Sequence, residues 1–298
     1  MITKLPLDND ESLKNLEAML QKPRDQRTQE DLKLYASRVR QLAVEMVYQA
    51  KCGHPGGPMG LADIFAFLYG KYLNVDPSNP NDPNRDRLIL SNGHVCAVRY
   101  AAMGLAGYFQ DQDLLSFRKL GSPFQGHPST KYLPELENSS GSLGQGLSNA
   151  TGLALGLKLQ GNQARVIAAL SDGECQEGMT WEAAMAAAHH KADNLTAFID
   201  GNNIQIDGYV EDVMNVGELV DKFASFGWEV KTADGHDMAA IEAAFQWSEQ
   251  KNSKPKLIYF NTTLGKGVSY MENQPGWHGV APNEEQRNQA HQELIELA

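Results

Sequence analysis

Long apolar runs, paired cysteines and an excess of basic residues are all missing from this sequence. Its 298 residues carry 26 Lys and Arg against 37 Asp and Glu, a formal net charge of −11. No stretch approaches the roughly 20 apolar residues that span a bilayer, and the start MITKLPLDNDESL lacks the apolar segment of a secretory signal. An acidic chain does not favour binding to a phosphate backbone. We therefore expect a cytoplasmic protein with neither a nucleic-acid nor a membrane partner.

Two kinds of motif are also missing. The three cysteines, Cys52, Cys96 and Cys175, form no C-x-x-C pair for zinc, and we expect them to be buried thiols in a reducing compartment. The segment from Gly141 to Gly146 resembles a phosphate loop, but it has neither the spacing G-x-G-x-x-G nor the lysine of a Walker loop. These absences disfavour a P-loop or dinucleotide-binding protein.

What is present is a regular alternation of short apolar runs with segments of helical periodicity. Strands are predicted at 87–91, 166–170, 196–200, 228–232 and 257–261, and helices at 30–51, 61–72, 143–160, 180–190, 216–226 and 237–251. The helix at 143–160 is apolar nearly all round, so we expect it to be buried. This order predicts an α/β domain with a doubly wound, mostly parallel sheet flanked by helices, over residues 29–298. The polar residues 1–28 are predicted to be an arm or an oligomer contact.

Polar residues follow two consecutive predicted strands. Asp172 and Gly173 come after the strand 166–170, and Asn202 comes after the strand 196–200. Ligands of open α/β sheets gather outside the carboxyl ends of the strands, and hard oxygen ligands suit Mg²⁺ together with substrate phosphates. Asp-Gly and Asn-Asn are also ordinary turn residues. The pattern therefore leaves a metal and phosphate site and a pair of plain turns as open alternatives.

Histidines give a second indication. Four of the eight lie in glycine-flanked loops, and a set of this kind suggests one shared polar site that donates to phosphate or hydroxyl oxygens and moves protons. These four are His54, His94, His127 and His278. The other four are predicted to be packing or surface residues, namely His189, His190, His236 and His291.

Six ordered segments together resemble the thiamine diphosphate-dependent transketolase family. They are GHPGGPMGLAD, LILSNGH, QGHPS, GSLGQGLSNATG, the stretch from Asp172 to Asn202, and GKGVSYMENQPGWHG. Only the N-terminal arm is unmatched. Ser171 replaces the first glycine of the family's Gly-Asp-Gly motif, and Ser142 replaces a proline common in the family. Neither change removes a metal ligand.

The resemblance implies a set of ligands for cofactor and metal. Asp172, Asn202 and the backbone oxygen of Ile204 are expected to hold Mg²⁺ (or Ca²⁺ or Mn²⁺) together with two diphosphate oxygens. Asn202 is thereby also a cofactor-binding residue. Further contacts with the diphosphate are expected from Gly173, His94 and His278.

The resemblance also implies roles around the reacting end of the cofactor. Gly141 and Leu143 are expected to lie against the aminopyrimidine. His54 and His127 are expected to be catalytic, with His127 hydrogen-bonding the C1 hydroxyl of the donor sugar and His54 assisting proton transfer. An acidic network at the subunit interface is expected from Glu177 and Glu182, although Glu182 also suits a helix N-terminus through the helix dipole alone.

A full transketolase continues into a pyrimidine domain that carries the glutamate activating the cofactor. The chain ends after the WHG loop, so the resemblance implies the N-terminal subunit of a split transketolase. A separate C-terminal transketolase subunit would complete the site in an α₂β₂ assembly that acts on sugar phosphates. Alternatives are a deoxyxylulose-phosphate synthase-like enzyme, the α subunit of a 2-oxo acid dehydrogenase, a transketolase for a branched or sulfonated ketose phosphate, and a non-catalytic cofactor-binding subunit.

Overall fold

A computed structural model describes residues 3–297 of the chain. The strands in this part are β1 (Arg87–Leu90), β2 (Val166–Ser171), β3 (Leu195–Gly201), β4 (Ile204–Gln205), β5 (Gly208–Tyr209), β6 (Glu229–Asp234) and β7 (Lys256–Asn261). The central sheet has the order β1-β2-β3-β7-β6, and every neighbouring pair in it is parallel. The short strands β4 and β5 form a separate antiparallel hairpin.

Helices cover both faces of this sheet. Over the same residues they are α1 (Asp10–Gln21), α2 (Gln29–Ala50), α3 (Gly56–Phe67), α4 (Cys96–Leu105), α5 (Asp111–Leu114), α6 (Gln145–Leu159), α7 (Gly178–His189), α8 (Val210–Met214), α9 (Leu219–Ser225), α10 (Met238–Ser248) and α11 (Glu284–Glu296). None of them combines the length and the apolar character needed to cross a bilayer, as far as residues 3–297 show.

Successive side chains of the central strands point alternately into two apolar cores, one on each face of the sheet. In β2, Ile167 and Ala169 join the core formed with α2, α3, α4 and α10, whereas Ala168 and Leu170 join the core formed with α6, α7 and α9. Successive side chains of a strand point to opposite faces, and strands buried on both faces read as continuous apolar runs. The predicted doubly wound α/β fold with a mostly parallel sheet is therefore confirmed.

The first helices lie along the outside of one core. Leu16 and Met19 of α1 are buried in the core that α2 also lines. A capping box between Thr28 and Asp31 starts α2. Within residues 3–28, the segment predicted as an arm thus lies against the domain.

Three details differ from the sequence-based expectations. Helix α3 begins at Gly56 rather than Leu61, because Pro58 lies in the first turn, where a helix does not need the missing N–H. Helix α6 is not buried all round, since Gly152 and Leu159 are exposed. Cys52 is exposed, whereas Cys96 and Cys175 are buried as expected.

Candidate active site

The carboxyl ends of β2 and β3 bring two predicted residues to one edge of the sheet. The strands are direct neighbours, with Ser171 opposite Asp200, so Asp172 and Asn202 follow adjacent strand ends. The Asp172 carboxylate accepts backbone hydrogen bonds from Gly173 at 2.7 Å and from Asn203 at 2.5 Å. The Asn202 amide oxygen accepts from the Ile204 N–H at 2.9 Å. The two loops are therefore joined through the carboxylate.

The hairpin β4–β5 forms one wall of the site. It starts at Ile204, directly after Asn203, whose φ of 59° is a left-handed turn conformation that asparagine tolerates. Gln205 lies so close to Gly173 that a Cβ on this glycine would be 3.4 Å from the Gln205 Cβ. Because glycine has no side chain, the backbone beside Asp172 is left open to the cavity.

Four histidines from four different loops converge above this edge. The ring centroid of His54 lies 5.4 Å from that of His94, 6.0 Å from that of His127 and 5.8 Å from that of His278. The His94 and His278 rings stack at 5.2 Å. The structure thus brings together the histidines that the sequence analysis grouped by their glycine-rich surroundings.

Burial and mutual repulsion keep these imidazoles neutral. Burial lowers the pKa of His54 to about 4, and the nearby His278 and Arg118 contribute to this shift. Burial also lowers the pKa of His94, His127 and His278. Arg118 Nη2 lies 3.5 Å from His54 Nδ1. Because a guanidinium only donates, Nδ1 is the acceptor and the His54 proton lies on Nε2.

A cavity of about 310 Å³ lies between the histidines and the strand ends. All predicted site residues line it except Asp172 and Glu182. Asp172 lines a neighbouring cavity of about 550 Å³. Glu177 is exposed at the rim of the first cavity, whereas Glu182 is exposed on α7 and lies outside the lining of both. Gly141 approaches the ring of His127, since a Cβ on it would lie 3.6 Å from that ring.

Two buried carboxyl groups that the sequence analysis did not select lie in the cavity wall. Glu174 is fully buried and accepts from the backbone N–H of Gly144 at 2.7 Å. Asp200 accepts hydrogen bonds from the side chains of Thr262 and Asn202. Burial raises the pKa of both to about 7, and the neighbouring Asp172 contributes in the case of Asp200. Burial raises the pKa of Asp172 itself to about 6.

The residues fit a diphosphate and its cation. His278 lines the cavity, and its Nδ1 is buried without a hydrogen-bond partner among the described residues. Asp172, Asn202 and the Ile204 carbonyl supply hard oxygens, which suit Mg²⁺ when phosphate oxygens complete its shell. No three His, Cys, Asp or Glu side chains within residues 3–297 converge as a metal cage.

A larger cavity, of about 680 Å³, lies at the opposite, amino edge of the sheet. Three of its charged side chains are paired with one another, because Arg165 bonds both Asp86 and Glu249 at 2.6 Å. Such pairs are typical of structural contacts, so the cavity below the histidines is the better candidate site.

Comparison with known proteins identifies the family of this chain. The family model for the transketolase thiamine diphosphate-binding domain matches residues 32–295. The 6-deoxy-6-sulfo-D-fructose transketolase subunit SqwG of Clostridium sp. (strain MSTE9) is 37% identical over 264 residues, which cover 89% of this chain and 96% of that protein. One of the subunits of the apulose-4-phosphate transketolase of Phocaeicola vulgatus is 37% identical over 267 residues, covering 90% of this chain and 95% of that protein.

Solved structures show the same fold. The crystal structure of transketolase from Campylobacter jejuni superposes with a TM-score of 0.84 at 37% identity, covering 89% of this chain but 42% of that one. The chain thus spans less than half of that transketolase and nearly the whole of the two subunits.

Proposed function

Because the chain belongs to the family of the transketolase thiamine diphosphate-binding domain, we propose that it is the N-terminal subunit of a two-chain transketolase. It binds thiamine diphosphate and Mg²⁺ at the carboxyl edge of the sheet. With a second subunit it transfers a two-carbon unit from a ketose phosphate to an aldose. The observation that carries the proposal is the convergence of four neutral imidazoles above the neighbouring ends of β2 and β3.

The metal and the diphosphate are held by the two strand-end loops and by two of the histidines. Asp172, Asn202 and the Ile204 carbonyl bind Mg²⁺, because these oxygens follow adjacent strands. Gly173 contacts the diphosphate, which approaches closely because this residue has no side chain. His94 and the unsatisfied His278 donate to it from the other side of the cavity.

The remaining two histidines face the substrate. When bound, thiamine diphosphate supplies the carbanion chemistry by which the carbon–carbon bond breaks and forms. His127 hydrogen-bonds a hydroxyl of the donor sugar, beside Gly141 and the aminopyrimidine site. His54 exchanges its Nε2 proton with substrate oxygens. A neutral imidazole suits this task, since it can both donate and accept at neutral pH.

A second subunit completes each site. The two similar subunits are named as parts of transketolases, and they have nearly the same length as this chain. The partner carries the pyrimidine domain, and an α₂β₂ assembly follows because the cofactor lies between domains of different chains. Glu177 and Glu182 contact the other chain in an acidic network, and the exposure of both side chains supports this part of the proposal.

Two-carbon transfer from xylulose 5-phosphate to ribose 5-phosphate tests the proposal. The chain is assayed with thiamine diphosphate and Mg²⁺, first alone and then with a second subunit carrying the pyrimidine domain. We expect transfer only in the pair, and its loss in Asp172→Asn but not in Asp86→Asn, a buried carboxylate at the opposite edge. Transfer by the chain alone would contradict the two-chain arrangement.

The donor can differ from xylulose 5-phosphate. The two similar subunits are named for 6-deoxy-6-sulfo-D-fructose and apulose 4-phosphate. A pair that binds the cofactor and leaves xylulose 5-phosphate unchanged is therefore tested with these two ketoses. Turnover of pyruvate or another 2-oxo acid instead would favour a different thiamine enzyme.

A further inference from the structure

Glu174 joins three loops of the site through one carboxylate. Its Oε1 accepts from the backbone N–H of Gly144 at 2.7 Å and from the hydroxyl of Ser91. Its Oε2 accepts from the backbone N–H of Ser171 at 3.2 Å. One oxygen therefore holds the loop that opens α6, and the other makes a local contact with Ser171, the last residue of β2 and three residues before Glu174 itself.

The backbones around this carboxylate are in close contact. The Gly146 N–H donates to Ser91 Oγ at 3.0 Å, and a Cβ on Gly146 would lie 2.3 Å from the Ser91 Cβ. Gly144 has a φ of +81°, and a Cβ there would lie 2.7 Å from the Glu177 Cβ. The segments around Ser91, Gly144 and Glu174 are thus packed closely against one another, and a shift of one requires a shift of the others.

We propose that Glu174 is a positioning residue that fixes the spacing between the loop 171–173 and the loop 141–146. The inference rests on the proposed function, which assigns the diphosphate and its metal to the first loop and the aminopyrimidine to the second. Glu174 accepts from one backbone N–H of each loop. The carboxylate thereby fixes the distance between the proposed diphosphate site and the proposed aminopyrimidine site, so that one cofactor molecule can occupy both.

A carboxylate is needed because both of its oxygens accept. The substitution Glu174→Gln would keep the size of the side chain, but one of the two terminal atoms would become an NH₂ donor. That donor would face an N–H group, either of Gly144 or of Ser171. The amide would therefore lose either the contact with Gly144, which joins the two loops, or the local contact with Ser171 that orients the side chain. It would still fill the volume of the buried glutamate.

Calorimetric titration of two ligands into the chain assembled with its second subunit measures this coupling. Inorganic diphosphate with Mg²⁺ occupies only the metal side, whereas thiamine diphosphate with Mg²⁺ spans both loops. The ratio of their dissociation constants therefore reports what the pyrimidine side adds. In Glu174→Gln we expect thiamine diphosphate to bind about tenfold more weakly, the equivalent of one hydrogen bond. Binding of inorganic diphosphate is expected to stay within about twofold, well below that effect.

Asp86→Asn is the matched control. Asp86 is buried and accepts from Arg165 and from the Asn74 N–H at the amino edge of the sheet. This variant is expected to lower the melting temperature and to leave both dissociation constants unchanged. A purely structural role of Glu174 would give the same result as this control.

Each other outcome decides between the two proposals. If the complete wild-type pair binds both ligands and Glu174→Gln keeps their ratio, the positioning role is refuted while the proposed function stands. A parallel weakening of both ligands also refutes it, because Glu174 would then act on the metal side alone. If the complete wild-type pair binds neither ligand, the proposed function fails, and the inference fails with it.

Discussion

Substitution of Asp172 by asparagine should affect the stability of the cofactor-free chain and the binding of the proposed metal differently. Burial raises the pKa of Asp172 from 3.8 to about 6. When the pKa of a carboxyl group is higher in the folded state than in the unfolded state, the free energy of unfolding falls as the pH rises through the interval between the two values. The folded state must then hold an unfavourable buried charge. At neutral pH the ionised Asp172 therefore costs the cofactor-free fold about 3 kcal/mol.

The asparagine variant removes this charge and gives up one accepted hydrogen bond. The lost bond from Gly173 or Asn203 costs about 1 to 3 kcal/mol. The two effects are opposite and of similar size, so we expect the cofactor-free variant to unfold at no lower temperature than the wild type. At a ligand concentration about 100-fold above the dissociation constant, wild type gains about 2.7 kcal/mol, or about 4 °C for a chain of this length. The variant should gain nothing.

Thermal unfolding with and without Mg²⁺ and thiamine diphosphate is the assay, and Asp86→Asn is the control. The control loses an ion pair with Arg165 and should melt earlier, yet it should keep the full cofactor-dependent shift. A wild-type shift in Asp172→Asn would remove Asp172 from the metal site. A cofactor-free Asp172→Asn that is destabilised by more than about 2 kcal/mol would refute the argument from the buried charge.

Three further predictions concern the same region. The affinity of the chain for Mg²⁺ with diphosphate should rise about tenfold per pH unit up to pH about 6 and then level off, because the metal displaces the Asp172 proton. Calorimetry at several pH values with constant ionic strength checks this, and an affinity that does not change with pH would contradict it. His127→Ala should bind thiamine diphosphate normally and lower kcat/KM for two-carbon transfer by the complete pair about tenfold, the loss of one hydrogen bond to the donor; an unchanged rate would leave His127 without that role. Gly146→Ala should lower the free energy of unfolding in urea by about 1 to 3 kcal/mol, because the new methyl group overpacks against Ser91. Gly152→Ala on the open face of α6 should leave this free energy unchanged or raise it by up to about 1 kcal/mol. Equal effects at the two positions would show that the close approach at Ser91 is not a constraint.

The long elements and their sheet were predictable because each carries its own periodic signal. The apolar runs of β2, β3 and β7 are buried on both faces, so their sequence alone indicates parallel strands. The neighbouring positions of Asp172 and Asn202 follow from the same rule. The hairpin β4–β5 was not predicted, since two residues per strand are too few for a pattern.

Glu174 shows where the sequence signal ends. A glutamate in the turn after Asp-Gly has the composition of an exposed loop, and its partners Ser91 and Gly144 are distant in sequence. Only the close approach of three loops shows that it is buried. Glu182 shows the reverse, because a motif position does not specify which face of α7 it occupies. Its side chain is exposed and lies outside the cavity.

The neutral histidines have a consequence for how the site is loaded. Within the described residues, no lysine or arginine lines the cavity, and Arg118 contacts His54 without reaching the lining. A free diphosphate would therefore meet hydrogen-bond donors but no fixed positive charge, and it would approach the carboxylates at the strand ends. We therefore expect the proposed cation to enter before the anion or together with it. The affinity for diphosphate should then depend strongly on free Mg²⁺ and only weakly on sodium chloride.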